Sequence, residues 1–280
     1  MIVAIIDRAM TQFGGVIILI TGFALLFLAS EILRVRGGFA PESTRKLVHV
    51  LSGVSILALP YLPISKLTFV VLGISFTVGL FATHQFGLLP SIHAVPRKSV
   101  GAIVFPLAMV FLLLLPEPRG VVFTLSVLLL AIPDAVSGII GVRYGKRLYY
   151  IADYRRSAEG SIAFFVTALP LSWGLLHLQG GYALLPALAG ALILSVVVTV
   201  VEAISVWGWD NLTIPVASAG ILTMMQNQNF PQSHDSHAII VAGMILAILA
   251  LYRILVMSVA RAMGTFIIGY GAYALFVIYS

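Results

Sequence analysis

Long apolar runs separated by short polar connections constrain this chain more than any single residue. The runs are about 17 to 22 residues long, the length of helix that crosses about 30 Å of hydrocarbon. The short alternating segments of an outer-membrane barrel are absent from the pattern. Composition agrees with the runs. Of 280 residues, 60% are apolar and 9% are charged, against about 25% charged in an average soluble domain. Mean hydropathy is +1.09. With 16 Lys+Arg and 10 Asp+Glu, there is too little charge to cover a soluble globule of this size. The sequence excludes a soluble enzyme, a disordered chain and a disulfide scaffold. It predicts an all-α, polytopic membrane helical bundle.

Ten spans are expected, near 13–33, 47–63, 67–83, 100–115, 120–140, 161–177, 183–201, 212–226, 238–256 and 262–279. The second, fourth and eighth are short or carry polar groups, which leaves eight or nine spans open. The N-terminal MIVAIIDRAMTQF has no basic region followed by a small-residue cleavage site, so the first run reads as a retained helix. No linker or repeat breaks the chain, and residues 1–280 read as a single integral-membrane domain.

Charge placement orients the bundle. The connections after the odd spans hold Arg34, Arg36, Arg45, Lys46, Arg97, Lys98, Arg143, Lys146, Arg147, Arg155, Arg156, Arg253 and Arg261. The connections after the even spans hold only Lys66 and Arg119. The positive-inside rule therefore puts the odd connections in the cytoplasm and both termini outside. The basic face, and the pI near 9.7, lie where anionic headgroups and anionic cytosolic substrates are found. Charge scattered over short loops does not suit a nucleic-acid partner.

Carboxylates at a membrane edge are costly and each needs a reason. Four fall beside the expected cytoplasmic face: Asp134, Glu159, Glu202 and Asp210. Asp7, Glu31, Glu42, Glu117, Asp153 and Asp235 read as ordinary interfacial charges. The richest segment is 133–161, PDAVSGIIGVRYGKRLYYIADYRRSAEGS. Gly138, Gly141 and Gly145 recur at spacings of three and four, which is one helix face. Such a stripe can let two helices pack closely, or let a phosphate chain approach the backbone beside Lys146, Arg147, Arg155 and Arg156. Ser157, Glu159, Gly160 and Ser161 then open the next helix, whose N-terminus favours an anion. The chain has no GxxxxGK[ST], so a P-loop is excluded.

In 201–220, VEAISVWGWDNLTIPVASAG, Glu202 sits in an apolar run and Asp210 begins a turn or helix. Hard oxygen ligands of this kind suit Mg²⁺ on a triphosphate, while Asp210 or Asn211 could also simply cap a helix. In RKLVH (45–49), His49 shares a helical face with Arg45. Arg45 and Lys46 could equally be membrane-edge anchors. RKSVG (97–101) is a fourth basic cluster entering a helix. The remaining histidines show no ligand spacing, and HEXXH, GXSXG and paired-Cys motifs are absent.

These blocks resemble the CTP-dependent polyprenol kinase family, which includes dolichol, phytol and farnesol kinases and the yeast-type diacylglycerol kinase. They are distant relatives of phosphatidate cytidylyltransferase. RKLVH, RKSVG, DAVSGIIGVRYGK (134–146), RRSAEGS (155–161) and the stretch from Glu202 to Pro215 match in order and spacing over roughly 170 residues. The family commonly reads KT-x-EGS, where this chain has Arg156 and Ser157. The HGG and DRxD elements of the cytidylyl branch are missing, which favours the kinase branch.

The resemblance implies transfer of the γ-phosphate of CTP to a prenol-type alcohol at the cytoplasmic membrane face. It implies Mg²⁺, a lipid alcohol, CTP and membrane lipids as cofactor, substrates and surroundings. By this resemblance Arg45, Lys46, Lys146, Arg156, Ser157 and Ser161 contact phosphates, and Gly138, Gly141, Gly145 and Gly160 allow close backbone approach. Asp134, Glu202 and Asp210 hold the metal, and Glu159 or His49 accepts the lipid hydroxyl proton, with Asp134 also counted as catalytic. A lipid cytidylyltransferase and a secondary transporter are the competing classes.

Overall fold

A computed structural model describes residues 2–93, 99–151 and 154–227. The ninth and tenth expected spans, Asp153, Asp235, and Arg97 and Lys98 of the RKSVG cluster lie outside the described residues.

The chain begins with α1 (Ile2–Gly37). Gly38, with φ +66°, takes the left-handed turn that a side chain resists. Pro41 then opens α2 (Pro41–Ile56), where its missing N–H costs nothing. A single 3-10 turn at Leu59–Tyr61 leads to α3 (Lys66–Gln85), capped by Ser65, whose hydroxyl accepts from the Thr68 N–H at 3.1 Å. Two shorter helices follow, α4 (Pro90–His93) and α5 (Gly101–Leu113). Next come α6 (Val121–Ala131) and α7 (Pro133–Tyr144). Pro133 lacks the N–H that would continue α6, so one apolar segment becomes two helices.

Beyond α7 the all-α expectation meets an exception. Leu148–Ile151 (β1) and Tyr154–Ser157 (β2) pair antiparallel, with Tyr149 opposite Arg156. Leu-Tyr-Tyr-Ile is rich in aromatic and branched residues, which fit a pleated surface. The hairpin feeds α8 (Ala158–Leu178), then α9 (Leu184–Ile204) and α10 (Asp210–Asn227).

Among the described residues, five helical segments are long and apolar enough to cross a membrane: Met10–Gly37, Lys66–Gln85, Val121–Tyr144, Ala158–Leu178 and Leu184–Ile204. They coincide with the first, third, fifth, sixth and seventh expected spans and mark an integral membrane protein. The second, fourth and eighth fall on α2, α5 and α10, which are not among the five. The 13 residues of α5 reach only about 20 Å at about 1.5 Å per residue, and α2 carries Arg45, Lys46 and His49 near its start.

The packing falls into two compact units. One comprises residues 2–135 with 207–219. In it α2 packs on α1, α4 and α6, and α5 joins α3 to α6. Its centre is α6, apolar on every side, with Leu125 and Leu129 wholly buried. Its α1 and α3 instead expose Ile18, Leu25, Leu67 and Val78, the face a bilayer accepts without cost. The other comprises 136–206 with 220–227 among the described residues, and is built on α8 packed against α9 with β2 beside α8. Along α8 the buried residues Gly160, Phe164, Ala168, Ser172 and Leu176 recur every fourth position, one ridge against α9.

Candidate functional site

In the first unit, polar residues gather at the start of α2. Lys46 buries its stem, and its Nζ donates to Asp134 Oδ2 at 2.8 Å and to the Asp134 carbonyl at 3.1 Å. Asp134 stands in the first turn of α7, where the helix dipole favours a carboxylate. Both residues are more than nine-tenths buried. His49, one turn beyond Arg45, donates from Nε2 to the Leu130 carbonyl at 3.0 Å, and the same nitrogen is 3.4 Å from Asp134 Oδ2. Its ring lies 5.6 Å from that of Phe105. Lys46, His49 and Asp134 thus form one connected group.

Arg45 belongs to a neighbouring group. Its Nη2 donates to Ser99 Oγ at 2.7 Å. Ser99, Val100 and Gly101 are the described part of RKSVG. Gly101 is pressed so closely that a Cβ there would lie 2.8 Å from Asn211 Nδ2 and 3.0 Å from Arg45 Nη2. The Trp207–Gly208 turn makes this approach possible. Trp207 has φ 54° and Gly208 φ 83°, and the Trp207 carbonyl accepts from the Val100 N–H at 2.7 Å. Asp210 is buried at the start of α10, with its Oδ1 accepting from the Asn211 N–H at 3.0 Å.

In the second unit the centre is Glu202, 1% exposed near the end of α9. Arg156 Nη1 donates to its Oε1 in a short ion pair, and Arg156 Nη2 donates to the Ser205 carbonyl at 2.9 Å. Ser137 Oγ donates to Oε1 at 3.1 Å and Ser161 Oγ to Oε2 at 3.4 Å. Tyr149, on the strand facing Arg156, is 2.8 Å from Ser161 Oγ. Burial and the Glu202 charge push the Tyr149 phenol up to about 12, so it remains a proton donor at ordinary pH. Neither Ser137 nor Tyr149 was expected. Ser137 sits inside the aspartate–glycine block, a positional signal, but Tyr149 gave none before the hairpin register was known.

The glycine block converges on Ser157. Gly138 and Gly141 lie in α7, while Gly145 is just past its end, a correction to the single-face reading. A Cβ at Gly141 would lie 3.1 Å from Ser157 Oγ, and one at Gly160 would lie 3.2 Å from Gly141 Cα. A Cβ at Gly145 would fall 2.3 Å from the Gly141 carbonyl oxygen. Here the small residues serve close packing of α7 on the start of α8. Ser157 caps α8, accepting from the Gly160 N–H at 3.2 Å. Glu159 accepts from the Arg147 N–H at 3.1 and 3.2 Å through its two oxygens, and Ala158 N–H donates back to the Arg147 carbonyl at 2.9 Å. Lys146 and Arg147 are exposed.

Among the described residues, no three of His, Cys, Asp and Glu gather closely enough to enclose a metal ion. Each unit instead sets a cation against a buried carboxylate: Lys46 on Asp134, and Arg156 on Glu202.

The fold and these clusters define a helical membrane protein with buried charged groups on its polar segments. No family model matches the chain, and no solved structure matches it. A curated protein does: a phytol kinase from Synechocystis, 27% identical over 206 residues, 71% of this chain and 86% of that one. This similarity supports a relationship to the phytol/polyprenol kinase family.

Proposed function

We propose that the protein is a lipid-alcohol kinase that transfers the γ-phosphate of CTP to a prenol-type alcohol at the cytoplasmic membrane face. The observation that carries this reading is the similarity to a phytol kinase over 71% of the chain. Phosphoryl transfer rests on positioning and charge neutralisation, and the chain supplies groups for both. Arg45, Lys46 and Arg156 are the cations proposed to neutralise phosphates, with Lys146 at the exposed end of the glycine block. Ser157, Gly160 and Ser161 at the start of α8 offer the positive end of a helix.

The acceptor hydroxyl attacks the γ-phosphorus and the bond to the bridging oxygen breaks, giving a lipid monophosphate and CDP. The hydroxyl proton passes to a base. Both Glu159 oxygens already accept from the Arg147 N–H, which favours His49. With Nε2–H bound to the Leu130 carbonyl, the neutral ring keeps its lone pair on Nδ1.

Mg²⁺ is commonly held by one or two carboxylates plus phosphate oxygens and needs no all-protein cage. Asp134, Glu202 and Asp210 are the carboxylates proposed for it. The metal supplies charge neutralisation on the phosphates.

The test is a matrix of γ-labelled CTP, ATP, GTP and UTP against phytol, geranylgeraniol, farnesol and dolichol, using purified protein with Mg²⁺. Labelled lipid monophosphate with CTP is the expected result. Pyrophosphate release from CTP with a lipid phosphate would instead assign the cytidylyl branch. Absence of labelled lipid in every pairing would end the kinase reading.

A further inference from the structure

The first unit contains a cavity of about 110 Å³ whose walls come from α1, α2, α3, α4, α5 and the start of α10. Its polarity is graded along its length. The polar lining residues are Arg45, His49 and Ser52, in that order along α2, and Asn211 at the start of α10. The start of α5 joins them, since the Phe105 ring lies tilted beside that of His49 and Gly101 abuts Arg45 and Asn211.

The other end is apolar. Along α2 the lining passes from Arg45 and His49 to Ile56, and along α5 from Ala102 to Leu113. Helix α3 runs the opposite way, with Gly73 packed on Val110, so Phe69 lies toward the Leu113 end. Leu19 of α1 belongs to the same end. Gly15, one turn earlier, meets Ile64 just before α3 begins. From Ala102 to Leu113 the cavity runs about 16 Å, eleven residues at about 1.5 Å each.

We propose that this cavity holds the acceptor alcohol, its hydroxyl among Arg45, His49 and Asn211 and its isoprenoid tail running toward Phe69 and Leu113. The assignment rests on the lipid-alcohol kinase reading and adds the substrate's place and size. A single hydroxyl needs a few polar groups at one end and an unbroken apolar wall beyond. A phospholipid would bring a bulky zwitterionic or anionic headgroup to a pocket whose polar end is built from three side chains, Arg45, His49 and Asn211. The length suits a short prenol of the phytol or geranylgeraniol kind. Dolichol would leave most of its tail outside. His49 lies at the hydroxyl end, which agrees with its role as proton acceptor, and Arg45 lies where the transferred phosphoryl group arrives.

Two variants at the apolar end move selectivity in opposite directions. Ile56→Phe fills that end, and Phe69→Ala opens it. The readout is the ratio of kcat/KM for phytol to that for farnesol, which is insensitive to the fraction of folded protein. Ile56→Phe is expected to lower the ratio about tenfold, and Phe69→Ala to raise it, in line with the discrimination that a few methylene groups provide. Parallel loss on both alcohols, with an unchanged ratio in both variants, overturns the assignment.

A second measurement separates this proposal from the kinase reading. Purified full-length protein is irradiated with a diazirine-bearing geranylgeraniol without nucleotide, and labelled peptides are mapped. Labelling on α3 and α5 that excess phytol suppresses supports the cavity even if no alcohol is phosphorylated. Labelling confined to other segments, or suppressed by phosphatidylcholine as well as by phytol, overturns it even in an active enzyme.

Discussion

Lys46 and Arg156 each set a cation against a carboxylate that water scarcely reaches, and the consequences of losing either follow from that burial. Removing Lys46 leaves the Asp134 charge, 5% exposed, without its 2.8 Å partner. Breaking a buried pair from one side costs about 3–5 kcal/mol. Lys46→Met should therefore lower the melting temperature of purified protein sharply, and adding Asp134→Asn should recover much of the loss. A Lys46→Met protein that melts like wild type would show the pair to be unimportant for stability. Arg156 holds both Glu202 and the Ser205 carbonyl, so Arg156→Lys keeps the charge and loses one arm. Arg156→Lys should retain substantial CTP-dependent activity. Arg156→Ala should lose about tenfold or more in kcat/KM for CTP, since charge-assisted contacts are worth about 1.5–3 kcal/mol. Normal kinetics in a properly inserted Arg156→Ala protein would defeat the phosphate role. The Tyr149 phenol, raised to about 12 from 10.0, holds its proton more tightly in the folded state. Its contribution to stability is complete below pH 10 and is lost as pH rises through about 12. A spectrophotometric phenol titration should lose one late-titrating group in Tyr149→Phe.

At the scale of elements, the junction from α7 through the hairpin to α8 is the most tightly specified part of the second unit. Ser157 ends β2, caps α8 and receives the glycines of α7. One residue thus ties strand, helix start and helix–helix contact together. The glycines are not equivalent. A Cβ at Gly145 meets backbone oxygen at 2.3 Å, and backbone cannot rotate away, whereas one at Gly141 meets the Ser157 hydroxyl at 3.1 Å. Gly145→Ala should depress the melting temperature more than Gly141→Ala, with Gly160→Ala between them or close to Gly141→Ala. Ser157→Ala should cost about 1 kcal/mol through the lost cap. Equal melting temperatures for Gly145→Ala and Gly141→Ala would mean that α7 can shift along α8 freely.

For the molecule as a whole, five segments among the described residues that are long and apolar enough to span a membrane mark its class, and orientation rests on the Lys/Arg asymmetry alone. The proposed orientation puts 141–160 in the cytoplasm and 226–237 outside. Because the chain has no cysteine, Arg147→Cys and Gln232→Cys can be introduced singly. A membrane-impermeant thiol reagent on intact cells should label the second and spare the first. The reverse pattern would invert the molecule and move the proposed phosphate-facing groups to the wrong compartment for CTP.

The sequence by itself determined the membrane class, five of the spans and the segments that carry charged groups. Hydropathy and local caps act over one or two helical turns, so they can be read from neighbouring residues. Ser157 therefore marks a helix start in the sequence as it does in the structure. The pairing of Lys46 with Asp134 joins residues 88 apart, and that of Arg156 with Glu202 joins residues 46 apart. No local rule chooses a partner across such distances. The same holds for the hairpin, where an apolar, aromatic run adopts strand or helix according to what packs on it. The glycine block was legible as a close approach, but its occupant was not. A missing Cβ leaves space without saying what approaches it, and only the tertiary structure brings Ser157 and Gly160 beside Gly141. The graded cavity beside His49 depends on six separate helices presenting the right faces together, which is a property of tertiary packing alone.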